Sequence, residues 1–106
     1  MLKVTVEDLR EVVILHCVGR IVRGAETAIL CAAVRQHGRN IILDLGGVDA
    51  LDAAGVGVLI SLQAAGIYLR LMDPNQNVRE VLRVTELESV FEICGQRAAQ
   101  DVLTNA

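Results

Sequence analysis

Residues 41–59 hold the tightest constraint in the chain. The run Ile41-Ile42-Leu43-Asp44-Leu45 is strand-like. Shortly after it, Val48-Asp49-Ala50-Leu51-Asp52-Ala53-Ala54-Gly55-Val56-Gly57-Val58-Leu59 opens a helix-like run. Where a buried strand hands over to a helix, the helix's first N–H groups lack partners and carry partial positive charge. The turn around Asp52 is therefore a place for an anion or a docking partner, and Asp52 itself suits an N-cap. Ala53 and Ala54 stand where a hydroxyl would be able to accept a phosphate, so this tip offers no side chain for phosphoryl chemistry.

The rest of the chain alternates in the same way. Leu2, Val4 and Val6 interleave with Lys3, Thr5 and Glu7, which predicts a half-buried strand at or near a sheet edge. Residues 12–18 are apolar almost throughout, as a central strand covered on both faces is. Ala25, Ala28, Ile29, Ala32 and Ala33 recur at helical spacing, and Gly38 follows His37 where that helix should stop. The spacing then predicts a strand over 41–45 and a helix over 53–65. A fourth strand follows, with Ile67, Leu69 and Leu71 alternating with Tyr68, Arg70 and Met72. Asp73-Pro74-Asn75 starts a third helix with Pro in its first turn, and Val78, Val81, Leu82 and Thr85 form its inner face. A short strand over 90–94 and a closing helix over 96–103, with Ala98, Ala99, Val102 and Leu103 as its apolar side, complete the pattern. No repeat or linker divides it. The expectation is a single domain over residues 1–106. Its class is α/β, a mostly parallel sheet of four to five strands backed by helices.

Composition removes several function classes. At 106 residues and 53% hydrophobic content the chain supports one core. No apolar run approaches the roughly 20 residues of a membrane helix, and no leader with a cleavage site is visible. A net charge of −3 without clustered Lys or Arg argues against a nucleic-acid surface, and Tyr68 and Phe91 alone make no base-stacking platform. Cys17, Cys31 and Cys94 show no metal-like spacing and sit in or beside apolar runs, so they read as small hydrophobes in a reducing cytoplasm. His16 in a strand and His37 at a helix end have no partner at a defined spacing. Glu7, Asp8 and Glu11 read as solvated charges flanking the first turn. Asp44 ends a strand where α/β proteins place functional carboxylates, but no second acid, histidine or nucleophile completes a constellation. No phosphate-binding loop, metalloprotease pattern or serine elbow is present. The sequence predicts no catalysis, no metal and no cofactor.

The run Ile42-Leu43-Asp44-Leu45, then Val48, Leu51-Asp52 and Gly55-Val56-Gly57-Val58-Leu59, resembles the signature of the STAS domain, the family of bacterial anti-sigma factor antagonists. Gly19-Arg20-Ile21, with Ala25 and Ala28 opening the next helix, resembles the family pattern too. Val22 and Arg23 stand where an acidic residue is usual. The resemblance implies helices mainly on one face of the sheet. It also implies a serine directly after Asp52 as phospho-acceptor; here that position is Ala53, followed by Ala54. The helix after Gly55 reaches Gly66 about one turn early for the family, which implies a trimmed far end.

What the resemblance implies is a non-catalytic, cytoplasmic regulatory module. It would bind an anti-sigma factor or a kinase-like regulatory protein and would not be switchable by phosphorylation at the usual place. Its candidate partner-binding residues are Asp49, Leu51, Asp52, Ala53, Ala54, Gly55, Val56 and Gly57, with Arg20 and Arg23 beside them. Ser61, roughly 10 Å further along the helix at 1.5 Å per residue, is too distant to replace the lost hydroxyl. Thr27 and Ser89 lack the Asp-Ser-x-Gly setting. Two alternatives stay open. One is sensing of a small ligand, a nucleotide or lipid. The other is service as a subunit of a transport or signalling assembly, docking through the 53–56 tip or through Leu30, Cys31 and Val34. The oligomeric state is not encoded in any pattern here.

Overall fold

The computed structural model describes residues 1–38 and 40–95. In chain order the elements are β1 (Leu2–Asp8), β2 (Val13–Ile21), α1 (Ala25–Gln36), β3 (Asn40–Leu51), α2 (Ala53–Ala64), β4 (Tyr68–Met72), α3 (Gln76–Val84) and β5 (Glu92–Cys94). A 3-10 turn, Leu87–Ser89, precedes β5. The closing helix expected over 96–103 lies outside the described residues.

The strands lie side by side in their chain order, β1-β2-β3-β4-β5. β1 and β2 form an antiparallel hairpin, with Leu2 opposite Gly19 and Asp8 opposite Val13. The other three pairings are parallel. Each crossover through α1, α2 and α3 therefore steps the same way across the sheet. Because such crossovers are right-handed, all three helices fall on one face. Burial follows this rule. Leu15 and Cys17 of β2, Ile41, Leu43 and Leu45 of β3, and Leu69 and Leu71 of β4 pack with Leu30, Val34, Leu59, Leu62, Val78 and Leu82 in one cluster. The residues between them on the strands point the other way. Ile14, Ile42 and Met72 join Val12 in a second, smaller cluster to which no helix contributes among the described residues.

Three local expectations are corrected. β3 does not stop at Leu45 but runs to Leu51. Past Asp44 it leaves β4 and pairs with β2 alone, as far as Leu51 opposite Ile21, across two register shifts. Gly46 and Gly47 disguise this stretch in the sequence. Gly47 is needed for the close approach, since a Cβ there would lie 3.0 Å from the Cys17 carbonyl oxygen.

The inner face of α1 is also not the alanine stripe. Leu30 and Val34 are fully buried, whereas Ala25, Ala28, Ile29 and Ala32 are exposed. Burying an isobutyl and an isopropyl group removes far more apolar area from water than burying alanine methyls. The helix accordingly turns its two bulky residues inward. In α3, finally, Asn75 is the N-cap and its side chain accepts from the Val78 N–H at 3.0 Å. Pro74 lies just before the helix rather than in its first turn, and Thr85 is its exposed C-cap, off the inner face.

Candidate functional site

The tip forms where β3 ends against the end of β2 and α2 begins. Asp52 is the N-cap of α2, with extended backbone, and one carboxylate oxygen accepts from the Gly55 N–H at 2.9 Å. The other accepts from the Arg23 N–H at 3.0 Å. One side chain thus fixes both the start of α2 and the loop before α1. The bond from Arg23, and then that from Gly55, holds the Asp52 carboxyl below its ordinary range. Asp52 itself occupies the positive end of α2, which leaves little there for an external anion.

The two glycines of the first turns have different surroundings. A Cβ on Gly55 would meet the Ile21 carbonyl oxygen at 2.4 Å and the Leu51 side chain at 2.7 Å, so Gly55 marks a tight helix–sheet contact. A Cβ on Gly57 would meet nothing within 4 Å. Leu51, Gly55 and Val56 are buried and support the tip from beneath. Asp49, Ala53, Gly57, Arg20 and Arg23 are exposed, and Asp52 and Ala54 are half-buried. Leu30 and Val34, two of the three α1 residues considered for docking in an assembly, are shut in the core.

Over its whole length α2 carries no Asp, Glu, Lys or Arg. Its exposed positions, Ala53, Gly57, Ile60, Ser61 and Ala64, share one face at helical spacing. A surface helix ordinarily turns charged and polar residues outward. This one shows water alanine, glycine and a 43% exposed isoleucine. Ile29 of the adjoining α1 is 44% exposed among its own exposed alanines.

With this geometry in place, comparison with known proteins decides the family. The model of the STAS domain matches residues 3–99. The chain belongs to the STAS domain family.

A Bordetella bronchiseptica protein provisionally named the anti-sigma factor antagonist BtrV is 27% identical, over 92% of this chain and 90% of its own. A Thermotoga neapolitana protein, provisionally named a homologue of an anti-sigma factor antagonist, is 31% identical over 58 residues. That match spans about half of each chain, 51% of both. Among solved structures, an anti-sigma factor antagonist (provisionally so named) from Thermotoga maritima superposes with a TM-score of 0.76 at 23% identity, covering 93% of each chain. The unphosphorylated form of the antagonist SpoIIAA superposes with a TM-score of 0.70 at 22% identity, covering 98% of each. These likenesses show that the sheet and helices described above are the STAS fold.

A second polar cluster in this STAS domain escapes linear reading. His16 Nδ1 lies 2.7 Å from an Asp44 carboxylate oxygen, and His16 Nε2 lies 2.8 Å from one of Glu7. The second oxygen of Asp44 accepts from the Gly46 N–H at 3.0 Å. Both the absence of a partner for His16 and the isolation of Asp44 are thereby corrected, and Glu7 is no free surface charge. The signal that would have found the cluster is register. His16 and Asp44 are direct neighbours across β2 and β3, while Glu7 stands opposite Ile14, one same-face step away. The Glu7 bond, then the Asp44 bond, raises the His16 imidazole above its ordinary 6.5.

The cysteines are free thiols. Burial pushes Cys17 up to about 12, which leaves it an inert filler of the core. Among the described residues no group of three His, Cys, Asp or Glu side chains is arranged to hold a metal ion. No helix among them is long and apolar enough to cross a membrane.

Proposed function

We propose that this STAS domain is a non-catalytic cytoplasmic regulatory module. It docks on an anti-sigma factor or a kinase-like regulatory protein through the outer face of α2 and the Asp52 tip. The observation that carries this reading is the charge-free outward face of α2, Ala53-Gly57-Ile60-Ser61-Ala64. An exposed helix face without charge, whose one polar side chain is the Ser61 hydroxyl, gains by being covered. Arg20, Arg23 and Asp49 rim the same end and would orient a partner of mixed charge. The naming of the relatives as anti-sigma factor antagonists supports the choice of partner class.

Ala53, the first residue of α2, is the equivalent of the family's phospho-acceptor in this reading. A phosphate there would place about two negative charges on an apolar surface, and alanine cannot receive it. The module is therefore held permanently in its partner-competent form. Sensing of an anionic nucleotide or lipid headgroup is not favoured at the tip, since the Asp52 carboxylate fills the helix end.

The deciding experiment is capture of an anti-sigma factor kinase from the source genome by the purified chain, with and without ATP. Wild-type chain is compared with Gly57→Glu, which alters only exposed surface. Retention that survives ATP and is lost in Gly57→Glu supports the proposal; equal retention by both chains refutes the surface. Ala53→Ser adds a sharper arm. Phosphorylation of the new serine by the captured kinase, with release of the complex, is the expected result.

A further inference from the structure

The face of the sheet opposite α1, α2 and α3 carries the Glu7–His16–Asp44 chain, whose geometry bears on its protonation. An ionised carboxylate only accepts hydrogen bonds, and a neutral imidazole has a single N–H. Both ring nitrogens of His16 nevertheless lie within 2.8 Å of a carboxylate oxygen. Between two ionised carboxylates, both contacts are met at once by the imidazolium, which donates at both nitrogens. We infer that His16 is a proton-operated latch on the N-terminal hairpin: as imidazolium it fastens β1 to β3 across β2, and losing one proton releases Glu7 and loosens β1.

The two bonds are unequal, which decides which of them opens. Asp44 is the more buried acid and is anchored by Gly46, in a strand paired on both sides. Glu7 is the more exposed acid and belongs to the edge strand. When the imidazolium gives one proton to solvent, the remaining N–H stays on Nδ1 with Asp44. The Nε2 lone pair then faces the Glu7 carboxylate, and the two repel.

Other charged groups on this face do not substitute for the lost bond. Register puts Thr5 opposite His16, with Lys3 beyond it opposite Val18. Met72 of β4 lies beside Asp44, and Cys94 of β5 beside Met72. Arg70 donates to Asn40 and stacks over Tyr68, 4.8 Å from the ring centroid. Glu92 accepts from the Tyr68 hydroxyl. Among the described residues, then, His16 answers only to Glu7 and Asp44. The raised imidazole agrees with the geometry, so the latch is closed below about pH 6.5 and opens as pH rises through the folded-state midpoint.

The test follows the ring protons of His16 by NMR against pH, with His37→Gln to assign the signals, together with amide hydrogen exchange corrected for intrinsic rate. The expected result is a His16 midpoint above about 6.5. Protection of the β1 amides should fall about two- to fivefold through that same midpoint, while α2 amides stay level. Glu7→Gln is the decisive variant. Its amide N–H can donate to the neutral Nε2, so the midpoint should drop and β1 protection should become flat with pH. His16→Gln, which removes the titrating group, should also be flat. A wild-type midpoint at or below the ordinary value overturns the latch. So does β1 protection that is level in the wild type, or that falls equally in both variants.

Discussion

The two faces of β3 show how differently one strand can be held. Toward the helices, Ile41, Leu43 and Leu45 have no exposed surface and belong to the large apolar cluster. Toward the other face, Ile42 is as fully buried, yet the next residue on that side is Asp44, a half-buried acid held by a histidine and a backbone N–H. One face is fixed by apolar area, which is non-directional and large. The other is fixed partly by directed, titratable bonds, which are weaker and depend on conditions. Sequential strand order is what creates the contrast, since it sends α1, α2 and α3 to the same side.

The sharpest way to break the comparison is to remove area from the helix face. Leu43→Ala leaves a cavity beneath the helices where no residue is exposed to fill it, and should lower stability by about 2–5 kcal/mol in urea denaturation. A loss smaller than that of a partly exposed leucine would mean the helix layer closes over the gap. Gly55→Ala comes next. The added methyl would press on the Ile21 carbonyl oxygen, 2.4 Å from its ideal position, so α2 must lift from the end of β2. Overpacking of this kind costs about 1–3 kcal/mol. It should also speed exchange of the backbone amide at position 55, which in the parent donates to Asp52.

These same elements show what the linear sequence reveals and what it hides. The strands, the three helices and the Asp52 cap are legible because each depends on local spacing: alternation by two, recurrence by three and four, and a capping acid before a helix. The far half of β3 is hidden because Gly46 and Gly47 look like a turn, and only a partner strand at close approach makes them extended. The rotation of α1 is hidden because four alanines and Ile29 mark a cleaner stripe than Leu30 and Val34, although the latter two are the ones buried. Glu7, His16 and Asp44 are hidden for the most basic reason. Their neighbours are set by inter-strand register, on which the spacing of residues 7, 16 and 44 is silent.

Gly57→Ala sharpens the comparison in the opposite direction. The site is open and helical, and alanine is favoured over glycine there by about 0.8–1.0 kcal/mol, so the variant should be more stable than the parent by about that amount. A glycine standing where alanine would stabilise is explained if a partner approaches α2 at that point. The same variant should then bind the partner less well, read as a faster dissociation rate. Greater stability with unchanged binding would return Gly57 to being an unused opening in the surface.

The smallest effect belongs to the charged face, and its sign is fixed by linkage. The folded-state imidazole of His16 lies above its unfolded value near 6.5, so the folded chain binds the proton more tightly than the unfolded chain does. The stabilisation is fully present below about pH 6.5 and is lost as pH rises through the folded midpoint. Because His16 and Glu7 are each more than a third exposed, solvent screens the pair, and the whole effect should stay under about 1 kcal/mol. Urea denaturation of wild type and His16→Gln, run from about pH 5.5 to about pH 8.5, isolates it as a narrowing gap between the two curves. Added salt should shrink that gap while leaving the Leu43→Ala loss intact, because screening acts on charges near the surface and not on a cavity among leucines. A gap that stays constant with pH would mean that the histidine holds its face by packing alone, as the residues on the other side do.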